Sequence, residues 1–339
     1  MPVRLKPLSE QVVVITGASS GIGLVTARLA AQRGAKLVLV ARSEQALRHL
    51  EEELNNAGHE ALAVVADVGD QDDVRRVAEA AVTRFGGFDT WINNAGISIF
   101  GRLTHVPSED HHRLFQTNFW GLVNGSLTAV GYLKGRGGGA IINIGSALSD
   151  RAIPVQGMYS ASKHAVKGFT DALRMELEEE GAPISVTLIK PSSINTPFTR
   201  HAKNYMPNQA EVPAPVYAPD VVARTIVYCC EHAERDVFVG SAGKMVSALG
   251  HHAPRATDVY MERALFEAQQ KESDAPEARG RHDALFAPSE DLSERGDYEG
   301  MVRETSVYTK ASLHPWISAG IVLGVGVLAT ALLSGSRRA

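Results

Sequence analysis

Four consecutive apolar residues, Val12-Val13-Val14-Ile15, run directly into Thr16-Gly17-Ala18-Ser19-Ser20-Gly21-Ile22-Gly23. That junction restricts the fold more than any other feature of the chain. A short run of β-branched residues with no polar alternation reads as a strand buried on both faces, the condition of a parallel sheet. Parallel strands require a crossover, usually a helix, and the glycine cluster stands where the chain must turn into one. Glycines let the backbone approach a ligand closely, while a helix beginning near Gly21 offers unpaired N–H groups and a positive dipole end. Strand, glycine turn and helix in this order form a site for a dinucleotide pyrophosphate. The bland reading is an ordinary glycine turn.

A second strand, Leu37 to Val40, follows on schedule and ends in Ala41-Arg42-Ser43. An acidic residue here normally accepts from the 2'-hydroxyl of NAD; an arginine without a neighbouring carboxylate suits a 2'-phosphate, so NADP is expected over NAD. The alternation continues through a third strand, Ala61 to Ala66, ending at Asp67, then a helix from Gln71 to Phe85. A fourth strand, Asp89 to Ile92, leads into Asn93-Asn94-Ala95-Gly96. Strand and helix in turn predict one parallel sheet covered on both faces, with ligands beyond the carboxyl ends of its strands. A long helical region from Ser108 to about Leu133 carries Asn118, by itself an ordinary satisfied polar group. A fifth strand, Ala140 to Ile144, ends in Gly145-Ser146. Thirteen positions beyond Ser146 comes Tyr159-Ser160-Ala161-Ser162-Lys163. Residues four apart share a helix face, and an ammonium beside a phenol lowers its pKa, so Tyr159 and Lys163 can form an acid–base pair facing Ser146.

Composition removes other classes. A formal charge of −4 with both signs well represented gives no basic footprint for nucleic acid. Cys229 and Cys230 are adjacent in an amphipathic helical segment, which suits buried packing in a reducing compartment. The pairs His111-His112 and His251-His252 project in different directions and lack an evident third ligand, so no metal is expected. The first ten residues contain no apolar run of a secretory signal.

Taken together, Thr16 to Gly23, Asn93 to Gly96, Ser146 and Tyr159 to Lys163 resemble the short-chain dehydrogenase/reductase family, in the subgroup that joins TGxxxGxG, NNAG and YxxxK. The resemblance covers about residues 8–250. It implies a doubly wound α/β Rossmann fold with a seven-stranded parallel sheet, completed by Ile184 to Ile189 and Asp236 to Val239. It implies an oxidoreductase that passes hydride between a nicotinamide and a carbonyl or alcohol, with Tyr159 as general acid or base; the alternative is a catalytically inactive NADP-binding sensor or interaction protein, against which the complete set of Ser146, Tyr159 and Lys163 argues. Lys163 would tune the tyrosine and hold the nicotinamide ribose, Ser146 would polarise the substrate oxygen, and Asn118 would hold a water linked to Lys163. Cofactor contacts would come from Gly17, Ser19, Ser20, Gly21, Ile22, Gly23, Arg42, Asp67, Val68, Asn94, Ala95, Gly96, Pro191, Ile194 and Thr196. Many members carry glycine after the proline at the sixth strand's end, whereas this chain has Ser192, whose Cβ would crowd the cofactor or shift the loop. Relatives are commonly dimers or tetramers, which implies a homo-oligomer. The proline-rich stretch to Pro219 matches the family's variable substrate lid. Ile97, Ile99, Phe100, Leu148, Ile153, Val155 and Met158 lie near the expected pocket mouth and suggest a lipophilic substrate, core packing being an equal alternative.

Beyond this domain, 251–312 reads as a helical and charged flexible linker. Residues 316–333 then run for eighteen positions without a charge, as a helix about 27 Å long, near a bilayer's hydrocarbon thickness. The expectation is a single transmembrane helix that tethers a catalytic domain facing the cytoplasm. A helix packed on the domain or on a partner is the competing reading.

Overall fold

A computed structural model describes residues 3–271, 283–290 and 292–314. Among them, seven strands form one parallel sheet: β1 (Val12–Thr16), β2 (Lys36–Ala41), β3 (Ala61–Val65), β4 (Thr90–Asn93), β5 (Gly139–Ile144), β6 (Ile184–Pro191) and β7 (Asp236–Val239). Their spatial order is β7-β6-β5-β4-β1-β2-β3. The chain starts in the centre, winds to one edge through β2 and β3, and returns to build the other half from β4. Every residue of β1 and β6 is buried, which is why the apolar run of β1 shows no polar alternation, whereas β6 buries Ser185, Thr187 and Lys190 as well.

Helices α1 (Gly21–Gln32), α2 (Glu44–Asn56), α3 (Gln71–Phe85), α4 (Ser108–Phe115), α5 (Gly121–Leu133) and α6 (Gly157–Glu179) supply the crossovers. They cover both faces together with α8 (Pro219–Glu231), which packs on α1. One core lies between the sheet and α1, α2 and α8, where Cys229 and Cys230 are buried as free thiols. The other lies beneath α3, α5 and α6. α3 shows the local logic: Asp70 accepts from the N–H groups of Asp72 and Asp73, and Gly86 ends the helix in the left-handed region at φ 77°.

Under the second face, a polar ladder ties β4 to β5 and α6. Asn93 donates to Ser126 (3.0 Å) and to Asn143 (2.9 Å), and Asn143 donates to Thr170 (3.0 Å). Trp91 Nε1 donates to Asn93 Oδ1 at 2.8 Å. Gly125 is required above it, because a Cβ there would stand 2.1 Å from that Asn93 oxygen.

The helical region expected from Ser108 to Leu133 is interrupted by one wide π-type turn at Gln116–Trp120, between α4 and α5. After β6, α7 (Phe198–His201) and short strand pairs at 99–100 with 203–204 build the wall over the sheet's carboxyl edge.

Two expectations for the C-terminal part are corrected. The stretch expected as a flexible linker is built into the domain wherever it is described: α9 (Ser241–His252), α10 (Pro254–Ala264), a strand at Val302–Arg303 and α11 (Val307–Leu313). Ion pairs join Arg28 to Glu294 at 2.6 Å and Arg295 to Asp220 at 3.3 Å, and Leu285 is fully buried. Charges that resemble a solvated linker in composition here find partners on the domain. The expected transmembrane helix is also withdrawn, and with it the single-pass, cytosol-facing tether: among the described residues no helix is long and apolar enough to cross a membrane. Residues 316–333 lie outside the described residues. α11 has seven residues, about 10 Å of helix against a hydrocarbon layer of about 30 Å. It packs on β7, with Thr309 and Leu313 buried.

Candidate active site

The carboxyl edge of the sheet gathers most of the residues singled out above. Gly17 takes φ 67°, and a Cβ there would stand 2.9 Å from Ala95 Cα. A Cβ on Gly23 would fall 2.0 Å from the carbonyl oxygen of Gly17. These two positions admit only glycine, because the turn is folded against the first turn of α1 and against the 94–95 backbone. Asn94 fastens the arrangement: its Nδ2 donates to the carbonyls of Thr16 (2.9 Å) and Gly17 (3.2 Å), while Thr16 Oγ1 accepts from the N–H groups of Asn94 and Ala95. Ser20 caps α1 in extended backbone without a side-chain bond, so Ser19-Ser20 and Ile22 sit at a helix start suited to an anion.

On the other side of the cleft, α6 presents Tyr159 and Lys163, both nearly or fully buried. Lys163 Nζ donates to the carbonyl of Ile144 at 2.8 Å and lies 5.7 Å from the centroid of the Tyr159 ring. Burial pushes the Tyr159 phenol up to about 12, opposed by its hydrogen bond with Ser146. Burial alone brings Lys163 down to about 8. The expected lowering of the phenol by its lysine neighbour is therefore outweighed in this site by desolvation, and Tyr159 holds its proton at neutral pH. Ser146 also accepts from the N–H of Leu148 at 3.1 Å, which fixes its hydroxyl at the end of β5.

Asn118 lies in the π-type turn, where its carboxamide clamps Ile97: Oδ1 accepts from Ile97 N (2.8 Å), and Nδ2 donates to Ile97 O (2.9 Å) and Ser162 Oγ (3.2 Å). A Cβ on Gly96 would lie 3.4 Å from Asn118 Oδ1 and 3.8 Å from Lys163 Nζ, so the turn brings Asn118, Gly96 and Lys163 together. π-type turns recur at functional sites because they redirect one residue out of the regular helical ladder.

Thr196 packs against Gly21, where a Cβ would stand 3.0 Å from the threonine Cβ. Pro191 and Ile194 are buried beneath the loop that carries it. The Ser192 hydroxyl turns to the start of α9, accepting from Gly243 N (3.1 Å) and donating to Gly240 O (3.4 Å). Val68 is buried against Gly121.

The adenosine side departs from expectation. Arg42 donates to the backbone carbonyls of Ala284, Leu285 (3.3 Å), Phe286 (3.1 Å) and Ala287 (3.2 Å). Burial lowers its pKa and the charge of Arg113 adds to that, with Asp67 opposing. Asp67 pairs with Arg113 at 2.5 Å, and Arg113 also donates to Leu285 O at 3.0 Å. Sequence reasoning missed Arg113 and the 284–287 carbonyls. The available signal was the apolar island Ala284-Leu285-Phe286-Ala287 inside a charged stretch.

A buried apolar cluster joins Ile97, Ile99, Leu114, Tyr159 and Leu285, with Leu148, Met158 and Phe198 packed on it. Phe198 meets the Tyr159 ring edge-on at 5.4 Å. Tyr205 and Lys203, the latter at 2.9 Å, bind Asp110 and hold the wall of the lid to α4.

The short chain dehydrogenase family matches residues 11–206. The uncharacterized oxidoreductase YxnA of Bacillus subtilis is 46% identical over 331 residues, 97% of this chain and 92% of the relative. The putative oxidoreductase SadH of Mycobacterium tuberculosis is 32% identical over 70% of this chain and 89% of its own length. Among solved structures, a short chain dehydrogenase/reductase from Burkholderia phymatum in complex with NAD superposes with a TM-score of 0.67 at 26% identity, covering 79% of this chain and all of the other. L-Sorbose reductase from Gluconobacter frateurii, complexed with NADPH and L-sorbose, superposes with a TM-score of 0.60 at 26% identity, covering 70% and 97%.

Proposed function

Because the chain belongs to the short-chain dehydrogenase/reductase family and is an NAD(P)-dependent oxidoreductase acting on CH–OH or C=O groups, we propose that it reduces lipophilic ketones or aldehydes with NADPH, using Tyr159 as the proton donor. The observation that supports this reading is the placement of two buried groups, Tyr159 and Lys163, on one face of α6, with Lys163 Nζ bonded to Ile144 O at 2.8 Å beside Ser146 at the end of β5.

The residues present suit a dinucleotide. The glycine turn is folded so closely on the 94–95 backbone and on itself that no Cβ fits at Gly17 or Gly23, which leaves bare backbone at the start of α1. Gly17, Ser19, Ser20, Gly21, Ile22 and Gly23 would hold the pyrophosphate, with Asn94, Ala95 and Gly96 flanking the adenosine and nicotinamide riboses. Asp67 and Val68 would bound the adenine, and Pro191, Ile194 and Thr196 would line the nicotinamide side. Arg42, at the end of β2 with no carboxylate beside it in sequence, supports the choice of NADP. When bound, the nicotinamide supplies the hydride.

The chain's own groups do the rest. Ser146 donates to the substrate oxygen and keeps it in register with Tyr159. Tyr159 gives its proton to that oxygen as negative charge develops, or takes it back in the reverse direction. Lys163, charged below about pH 8, stabilises the phenolate left behind. Asn118 holds the backbone of Ile97 and, by its place beside Gly96 and Lys163, supports a water path for the returning proton. Ile97, Ile99, Met158 and Phe198 exclude water and give the site its preference for apolar substituents.

The test is consumption of NADPH and NADH by purified protein against lipophilic and polar carbonyls. Turnover of lipophilic members with NADPH, lost in Tyr159→Phe, is the expected result. Turnover of small polar carbonyls alone would overturn the substrate class, and equal turnover by the Tyr159→Phe variant would overturn the proton donor.

A further inference from the structure

The residues proposed to recognise the dinucleotide are already engaged by the chain itself. Arg42 donates to four consecutive backbone positions, Ala284 to Ala287. Gly21, at the start of α1, donates its N–H to the carbonyl of Ser293 at 2.9 Å. Gly296 lies against Thr196, where a Cβ would come 2.4 Å from the threonine carbonyl oxygen. At the same time Ala284 N donates to His201 O at 2.8 Å, so the stretch bridges α7 and Arg42 across the cleft. Leu285, with no exposed surface, anchors it in the apolar cluster that includes Tyr159. Glu294 pairs with Arg28 on α1 at 2.6 Å.

These contacts have a common chemistry. A guanidinium and a helix N-terminus are both sites for anionic oxygen, and both are filled here by neutral peptide oxygens. Resting on the NADP reading above, we propose that the stretch formed by 283–290 and 292–296 is a displaceable intramolecular occupant of the dinucleotide cleft, which must leave Arg42 and Gly21 before the cofactor can dock. Neutral carbonyls hold a guanidinium less strongly than a phosphate does, so a 2'-phosphate competes well for Arg42. The apparent affinity for cofactor is then the intrinsic affinity reduced by the fraction of molecules with the cleft open. A bound dinucleotide releases the stretch; the free enzyme keeps it docked, with its apolar anchor covered.

The experiment combines two readouts on the whole chain. NADPH binding is titrated by fluorescence for the natural protein and for Asp283→Ala/Glu294→Ala, substitutions outside the proposed machinery that remove the carboxylate accepting from Leu285 N–H and the ion pair to Arg28. Hydrogen exchange of peptides from 283–296 is followed with and without NADPH. The expected result is a dissociation constant on the order of tenfold lower in the variant, and faster exchange in 283–296 of the natural protein when NADPH is added. An unchanged or higher dissociation constant in the variant, or slower exchange with NADPH, would make the stretch a wall or cover of the bound cofactor and overturn the proposal. Absence of NADPH binding in both proteins would overturn the cofactor reading, and the occupant with it. Tight NADPH binding with protection of the stretch overturns the occupant alone.

Discussion

The ammonium of Lys163 lies 5.7 Å from the ring centroid of Tyr159 and is held there by the carbonyl of Ile144. Both groups are buried, and burial acts on them in opposite directions: the phenol goes up to about 12 and the ammonium down to about 8. Each is thereby biased to its neutral form, the phenol firmly so.

The first prediction concerns the proton donor. Tyr159→Phe removes the hydroxyl and keeps the ring that packs on Phe198. Turnover should fall by about 10²–10⁴-fold, as for loss of a positioned general acid. The dissociation constant for NADPH should stay within about threefold, since the substitution leaves the glycine turn intact. Stopped-flow turnover with parallel binding titration checks both, and loss of binding with turnover would point to a structural role.

A second prediction is the pH dependence. Carbonyl reduction needs the Tyr159 proton, present throughout the neutral range, and a charged Lys163, which is lost as pH rises through about 8. The reduction rate should therefore decline above that pH. Alcohol oxidation needs the proton to leave Tyr159 and should rise with pH over the same interval. Profiles in both directions that run parallel would contradict this division of roles.

Lys163 carries a stability cost as well. Its folded pKa, about 8, lies below the ordinary 10.5, so the unfolded chain binds this proton more tightly. The native state is penalised fully below pH 8, and the penalty fades as pH rises from 8 to 10.5. Lys163→Met should raise stability at pH 7 by on the order of 1–2 kcal/mol, after allowance for the lost bond to Ile144. It should also remove most activity. Thermal unfolding at pH 7 and pH 10 provides the check, the gain being smaller at the higher pH.

Arg42→Ser should weaken NADPH binding by about 10–100-fold, the loss of a charge-assisted pair. NADH binding should fall no further, and would improve if the carbonyls of 284–287 lose their hold on the cleft. Equal weakening of both cofactors would remove Arg42 from 2'-phosphate recognition.

Asn143→Ala removes the buried acceptor of Asn93 Nδ2 and the donor to Thr170 Oγ1, leaving Asn93 with Ser126 and Trp91 and Thr170 with Val166 O. The expected loss is about 1–3 kcal/mol. Denaturant unfolding measures it, and a neutral result would mean that water enters the ladder.

Much of this architecture was legible in the sequence for definite reasons. β1 and the glycine turn could be read because sterics leave few alternatives: a run of β-branched residues pairs as a strand, and Gly17 and Gly23 occupy places that no side chain can. Asn118 was singled out only through the family resemblance, since the single wide turn that carries it leaves apolar periodicity almost unchanged. A sequence carries no direction for a side chain, so it could not show that the Ser192 hydroxyl faces the start of α9. The 283–304 stretch was misread as a linker for a related reason. It docks on Arg42 through backbone carbonyls, which every residue type possesses, so composition could not register the contact. The acidic and basic residues that looked solvated were instead paired with α1 and α8.

The short ladder at the rim of the cleft sets an order of events during synthesis. Ser193–Ile194 pairs with Val216–Tyr217, which pairs in turn with Val302–Arg303. Chains emerge amino end first, and a domain folds as a unit once its elements are available. The seven sheet strands are complete at Val239, more than sixty residues before the last rung of that ladder leaves the ribosome. A nascent chain therefore passes through an interval in which sheet and cleft exist and the closing strand does not. A nucleotide arriving in that interval would meet the cleft before the chain's own carbonyls can reach it.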